Sequence, residues 1–183
     1  MGSKITITPG FFFLAALCLI LLPLQWGMGA LLAACAHEAG HWLALLVSGG
    51  QVYALRLGAT GAEIKSSILT SEREALCALA GPAGSFCMLL TAAHCPEAAV
   101  CALIQGCYNL LPIYPLDGGR ALRCVLPESV CRAVEAFFLT LLSGFSFWIC
   151  LHEISLGMVM LFYGWWPLIQ RKFSCKEPKI AVQ

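Results

Sequence analysis

His37-Glu38-Ala39-Gly40-His41 carries two imidazoles four residues apart with a carboxylate beside them. On a helix, positions i and i+4 share a face, so both rings can offer a nitrogen to one metal ion, and zinc suits such ligands. Glu38 stands where a general base would take a proton from a water activated at that ion. The implied chemistry is metal-assisted hydrolysis. The surroundings are unusual for it: the motif lies in an apolar run from Met28 to Val47, long enough to cross a bilayer.

A second set of polar residues lies in Asn109-Leu110-Leu111-Pro112-Ile113-Tyr114-Pro115-Leu116-Asp117-Gly118-Gly119. Pro112 and Pro115 lack an amide hydrogen, so a helix through them should open. Irregular backbone at membrane depth is tolerated where it lines a water-filled cavity. Gly118 and Gly119 would allow a tight turn that folds the Asp117 carboxylate back toward the histidines. Asn109 could donate a hydrogen bond to the oxyanion formed when a peptide carbonyl is attacked. An ionisable group at the membrane centre costs about 2.5–3.5 kcal/mol, so Glu38 and Asp117 are expected to face the bundle interior or water. Two neutral histidines, one aspartate and a hydroxide bring a divalent ion to a formal charge near zero, which lowers the cost of placing it in a low dielectric.

The elements that must position these residues are membrane spans. The chain has 183 residues, of which 60% are hydrophobic and 11% charged, against about 25% charged in soluble domains. A net charge of +1, with no basic stripe carrying interleaved aromatics, excludes a nucleic-acid partner. Eleven cysteines fall mostly in apolar segments without a C-x-x-C pair, so they are read as free thiols rather than as a disulfide or metal framework. Residues 11–24 have the look of a signal segment, but no small-x-small cleavage site follows and apolar runs continue, so they are read as a retained first span.

Six spans are expected, at roughly 10–26, 28–47, 74–93, 98–116, 133–150 and 154–169, each near the ~20 residues a crossing needs. The breaks are Trp26-Gly27, the loop from Ser48 to Ser71, His94-Cys95-Pro96, the stretch from Pro112 to Pro127, and His152-Glu153. All eleven Lys and Arg residues fall on one side of this arrangement: Lys4, then Arg56, Lys65 and Arg73, then Arg120, Arg123 and Arg132, then Arg171, Lys172, Lys176 and Lys179. The positive-inside rule makes that side cytoplasmic, with both termini there. The second and fourth spans then both run inward, so His37 and His41 reach the same depth as Asp117. The expected fold is an all-α polytopic membrane protein of about six transmembrane helices, in one domain over residues 1–183.

The H-E-A-G-H and N-L-L-P-I-Y-P-L-D-G-G segments resemble the two signature motifs of the site-2 protease family of intramembrane zinc metalloproteases. Ala80-Gly81-Pro82-Ala83-Gly84-Ser85 resembles the family's A-G-P segment in the intervening span. The chain looks most like the six-span bacterial branch that includes the sporulation protease processing a membrane-bound sigma-factor precursor. The resemblance implies one zinc ion held by His37, His41 and Asp117, with Glu38 as general base and Asn109 polarising the carbonyl. It implies hydrolysis of peptide bonds in or near transmembrane segments of substrates, in a multi-pass cell-membrane protein. The chain departs from members with PDZ or CBS domains, since neither its loop from Ser48 to Ser71 nor its tail after Gln170 is long enough for one.

Gln51 to Leu57 has strand-like composition, and Gly58 to Gly61 supplies a turn before Ala62-Glu63-Ile64. A short membrane-associated β-hairpin is expected there, able to pair edge-on with an unwound substrate. Ser85, Ser143 and Ser146 have no base placed for them by spacing and are read as small residues at helix contacts. An intramembrane metal-ion transporter also places histidines and carboxylates inside spans, but no internal repeat is visible here. An inactive membrane adaptor of the same fold would not need the complete set of catalytic residue types.

Overall fold

In the computed structural model, the described residues are 4–10, 12, 16, 20, 22–50, 52–58, 61–66, 70–153, 164–166 and 168. They belong to two compact units, Met1–Leu110 and Leu111–Gln183. The expected first span, 10–26, falls partly outside the described residues, and the sixth, 154–169, falls largely outside them.

The first unit contains strand β1 (Lys4–Ile7), helix α1 (Leu24–Val47), strands β2 (Val52–Gly58) and β3 (Gly61–Ser66), helix α2 (Ser71–Cys87) with a 3-10 extension over Met88–Thr91, and helix α3 (Pro96–Asn109). Pro23 precedes the first turn of α1, where its missing amide hydrogen costs nothing. The helix then runs straight through Trp26-Gly27, so the expected break there is corrected to Pro23. Gly27 is buried, and a Cβ on Gly29 would meet the Ala98 backbone of α3 at 2.9 Å. These glycines permit close helix approach rather than ending a helix.

Val47-Ser48-Gly49-Gly50 stops α1. Gly49 takes a left-handed φ of 72°, its N–H donates to the Leu46 carbonyl, and the Gly50 N–H donates to that of Leu45. This is a Schellman closure, and it requires a residue without Cβ strain at that position. Arg73, in the first turn of α2, adds a donor to the Ser48 carbonyl at 3.0 Å.

The sheet has the order β1-β2-β3, with β2 and β3 antiparallel and β1 parallel to β2. Strand β1 was not expected. Four residues are too few for alternation to register, and its partner lies far along the chain, at Ala54–Leu57.

Helix α1 packs most extensively on α2 and next on α3. Their contacts are built from small side chains: Ala33, Ala78, Ala98, Ala99 and Ala102 are buried, while Leu32, Trp42, Leu43, Leu76 and Ile104 point outward. Large apolar groups outside and small ones inside suit an apolar solvent, in which helices associate through close backbone packing.

The second unit contains α4 (Asp117–Val125) and α5 (Glu128–His152), separated by Leu126-Pro127. The fourth span was expected over 98–116; regular helix instead stops at Asn109, and Leu110–Leu116 is irregular around Pro112 and the cis Tyr114–Pro115 bond. The stretch expected to be only a break holds α4. Among the described residues, three helical segments, Leu24–Val47, Ser71–Thr91 and Glu128–His152, are long and apolar enough to cross a membrane.

Candidate active site

His37 and His41 lie one turn apart on α1, the first buried and the second half-buried. Their rings meet edge to face at 84° and bring the two Nε2 atoms to 3.2 Å. Helix α2 holds both rings from the other side. His41 Nδ1 lies 2.7 Å from the Cys77 carbonyl oxygen, and His37 Nδ1 lies 2.9 Å from the Ser85 hydroxyl. A carbonyl only accepts, so His41 carries its hydrogen on Nδ1 and presents a lone pair at Nε2. Gly81 fills the position between these two anchors: a Cβ there would overlap the His41 ring. Cys77, Gly81 and Ser85 are spaced i, i+4 and i+8, so one stripe of α2 supplies an acceptor, a clearance and a hydroxyl.

The helices come this close because neither has a side chain in the way. A Cβ on Gly40 would overlap the Ala80 carbonyl, and one on Gly84 would meet the Ala36 carbonyl at 2.5 Å. The A-G-P-A-G segment therefore has a plain steric reason. Ser85 was read from the sequence as a contact residue only; its spacing from Gly81 and Cys77 was the available signal. Glu38 is half-buried and sits three residues before His41, on the same side of α1.

In the second unit, Asp117 is buried at 6% exposure and begins α4, where a carboxylate complements the helix dipole. Gly118 and Gly119 do not form the expected tight turn; they lie in the first turn of α4. Gly119 is needed there because a Cβ would overlap the Ile113 carbonyl and the Tyr114 amide nitrogen. Arg120 Nη1 lies 3.5 Å from Asp117 Oδ1.

Arg123 stacks 4.3 Å above the Tyr114 ring and reaches the buried Glu135 carboxylate of α5 at 3.5 Å. It thus ties the irregular segment before Asp117 to the next helix. Arg123→Ala, which removes a charged donor from a buried carboxylate, is expected to lower stability by about 1–3 kcal/mol. Arg123→Met paired with Glu135→Met should recover much of that loss in denaturant unfolding in detergent.

Among the described residues, His37, His41 and Asp117 form a group whose ligand atoms all lie within 4.8 Å of one another and could hold a metal ion. The donor set fits zinc. Two nitrogens bound tetrahedrally at 2.0–2.1 Å are separated by ~3.3 Å, and the imidazole pair stands at 3.2 Å. Asn109 is half-buried at the end of α3, and its Nδ2 donates to the Gln105 carbonyl of its own helix at 3.0 Å.

No known protein family matches the chain by sequence, and neither does any curated protein. Among solved structures, the chain superposes on "Site-2 Protease from Methanocaldococcus jannaschii" with a TM-score of 0.66 at 16% identity, covering 100% of this chain and 95% of that one. This is the site-2 protease fold. At so low an identity the shared property is the path of the backbone, and the chemistry rests on the side chains described above. The site-2 protease fold here carries imidazoles, carboxylates and glycine clearances in a consistent arrangement.

Proposed function

We propose that this protein is a zinc-dependent intramembrane endopeptidase, hydrolysing peptide bonds in or near the transmembrane segments of single-span membrane-protein substrates. The observation that carries this reading is the imidazole pair with Asp117, found on a site-2 protease fold. His37, His41 and Asp117 hold one zinc ion. Bound there, zinc supplies a Lewis acid that activates water and polarises the scissile carbonyl. Glu38 accepts the proton of the attacking water and returns it to the leaving amine. Asn109 has two amide hydrogens; with one on Gln105, the other is available to the carbonyl oxygen as negative charge builds there.

A helical substrate hides its carbonyls in its own hydrogen bonds and must be held extended. Strand β3 has β2 on one side only in the described sheet, so its outer edge supports substrate pairing in a membrane-associated hairpin. Six spans follow from the apolar runs of the sequence, and the charge pattern places the termini and the active site toward the cytoplasm of a multi-pass cell-membrane protein. We read residues 1–183 as a single metalloprotease domain of the six-span branch.

Purified protein in vesicles with a tagged single-span substrate is expected to cleave it, to stop after chelation, and to recover with one equivalent of zinc. Zinc flux into sealed vesicles without cleavage would establish a transporter instead. Substrate binding with neither activity would establish an adaptor.

A further inference from the structure

We propose that Arg123 is a positioning residue for Asp117: it presses the irregular segment before α4 onto that helix and so keeps closed the turn that bears the carboxylate. The inference rests on the metal-site reading and goes further, to what fixes one of its residues without touching it. Asp117 is the first residue of α4, a helix of nine residues. The hydrogen bond that opens the helix runs from the Arg120 N–H to the Leu116 carbonyl at 2.9 Å. Short helices fray from their ends, so a side chain placed there is only as fixed as this first turn.

The segment ahead of it must take its shape from contacts, because Pro112 and Pro115 supply no amide hydrogen. Gly119 and Arg123, four residues apart, share one face of α4, and the segment lies along that face. At Gly119 a Cβ would overlap the Ile113 carbonyl, and Ile113 itself is fully buried. One turn further on, the Arg123 guanidinium lies 4.3 Å over the Tyr114 ring. Its Nη2 lies 3.5 Å from the buried Glu135 carboxylate of α5, and its Nη1 lies 3.9 Å from the exposed Glu128. The exposed contact is screened by solvent, so Glu135 is the partner that holds the guanidinium. A planar cation can stack its face on a ring while its edge reaches a carboxylate, which is a property of arginine. Through Arg123, α5 therefore braces the first turn of α4.

The test uses full-length protein in detergent, comparing wild type with Tyr114→Leu, Tyr114→Phe and the paired change Arg123→Met with Glu135→Met. Zinc affinity is read by chelator competition, and opening of the first turn by hydrogen exchange at the Arg120 amide in zinc-free protein. Tyr114→Leu leaves the Arg123–Glu135 pair in place but removes the ring beneath it. The paired change restores apolar packing and stability but leaves no cation over the ring. Both should bind zinc about tenfold more weakly, the lower end of what losing support behind a metal ligand costs. Both should also exchange the Arg120 amide faster, with the amides of α5 unchanged. Tyr114→Phe, which keeps the ring, should match wild type in both measurements. Wild-type zinc affinity or wild-type Arg120 exchange in Tyr114→Leu overturns the proposal and leaves the metal site standing. Tyr114→Phe as weak as Tyr114→Leu overturns it too, since the stack would then not be what matters. A folded double variant that binds zinc as wild type does has the same effect; if it does not fold, the two Tyr114 variants decide. Wild type that binds no zinc overturns the metal-site reading and this inference together.

Discussion

Glu38→Gln is expected to retain one zinc per chain while cleaving substrate about 10³-fold more slowly, within the range that a general acid–base group contributes. The substitution keeps the shape and a hydrogen-bonding end but removes the basic oxygen that must take the proton of the attacking water. The His37 and His41 rings, with their anchors on Cys77 and Ser85, are untouched by it. Asp117→Ala should separate from it cleanly, because a ligand is lost and metal content falls together with activity. Elemental analysis and single-turnover cleavage on the same preparations make the comparison. Cleavage by Glu38→Gln within tenfold of wild type would remove Glu38 from the mechanism and require another base.

The parts of this protein that were legible in its sequence are those set by local chemistry. The two histidines at i and i+4, and the prolines that open the chain before Asp117, follow from residue type and spacing alone. The parts that were not legible depend on a distant neighbour. Gly27 and Gly118-Gly119 carry the same sequence signal as a helix break or a turn, yet both lie inside helices. In each case the glycine answers to close packing: Gly27 is buried in α1, and Gly119 faces the Ile113 carbonyl. Strand β1 exists because β2 offers it an edge, and four residues cannot announce that. Ser85 looked like a packing residue because its partner, His37, is 48 positions away. The metal ligands could be expected individually, but the residues that aim them could be seen only once α2 was placed against α1.

Gly81→Ala should then be the single-methyl change in the first unit that strikes a proposed metal ligand directly. Its Cβ would overlap Nε2, Cε1 and Cδ2 of the His41 ring, so either the imidazole turns away or α1 and α2 separate. Separation is resisted at the same level, since Gly40 and Gly84 leave the two backbones in contact. Overpacking of this kind costs about 1–3 kcal/mol, and the ring is the softer element, so zinc affinity should fall further than stability does. A loss of at least ~100-fold in chelator competition is expected, at the upper end of what misplacing a ligand costs. Gly144→Ala on α5 supplies the control, since a Cβ there meets nothing within 4 Å. That change should leave zinc binding alone and be neutral to stabilising by up to ~1 kcal/mol, from helix propensity. Both are measured by detergent-phase unfolding alongside zinc titration. Should Gly81→Ala bind zinc as wild type does, the His41 ring cannot be held where α2 places it, and the account of how this helix pair prepares a metal site would have to be given up.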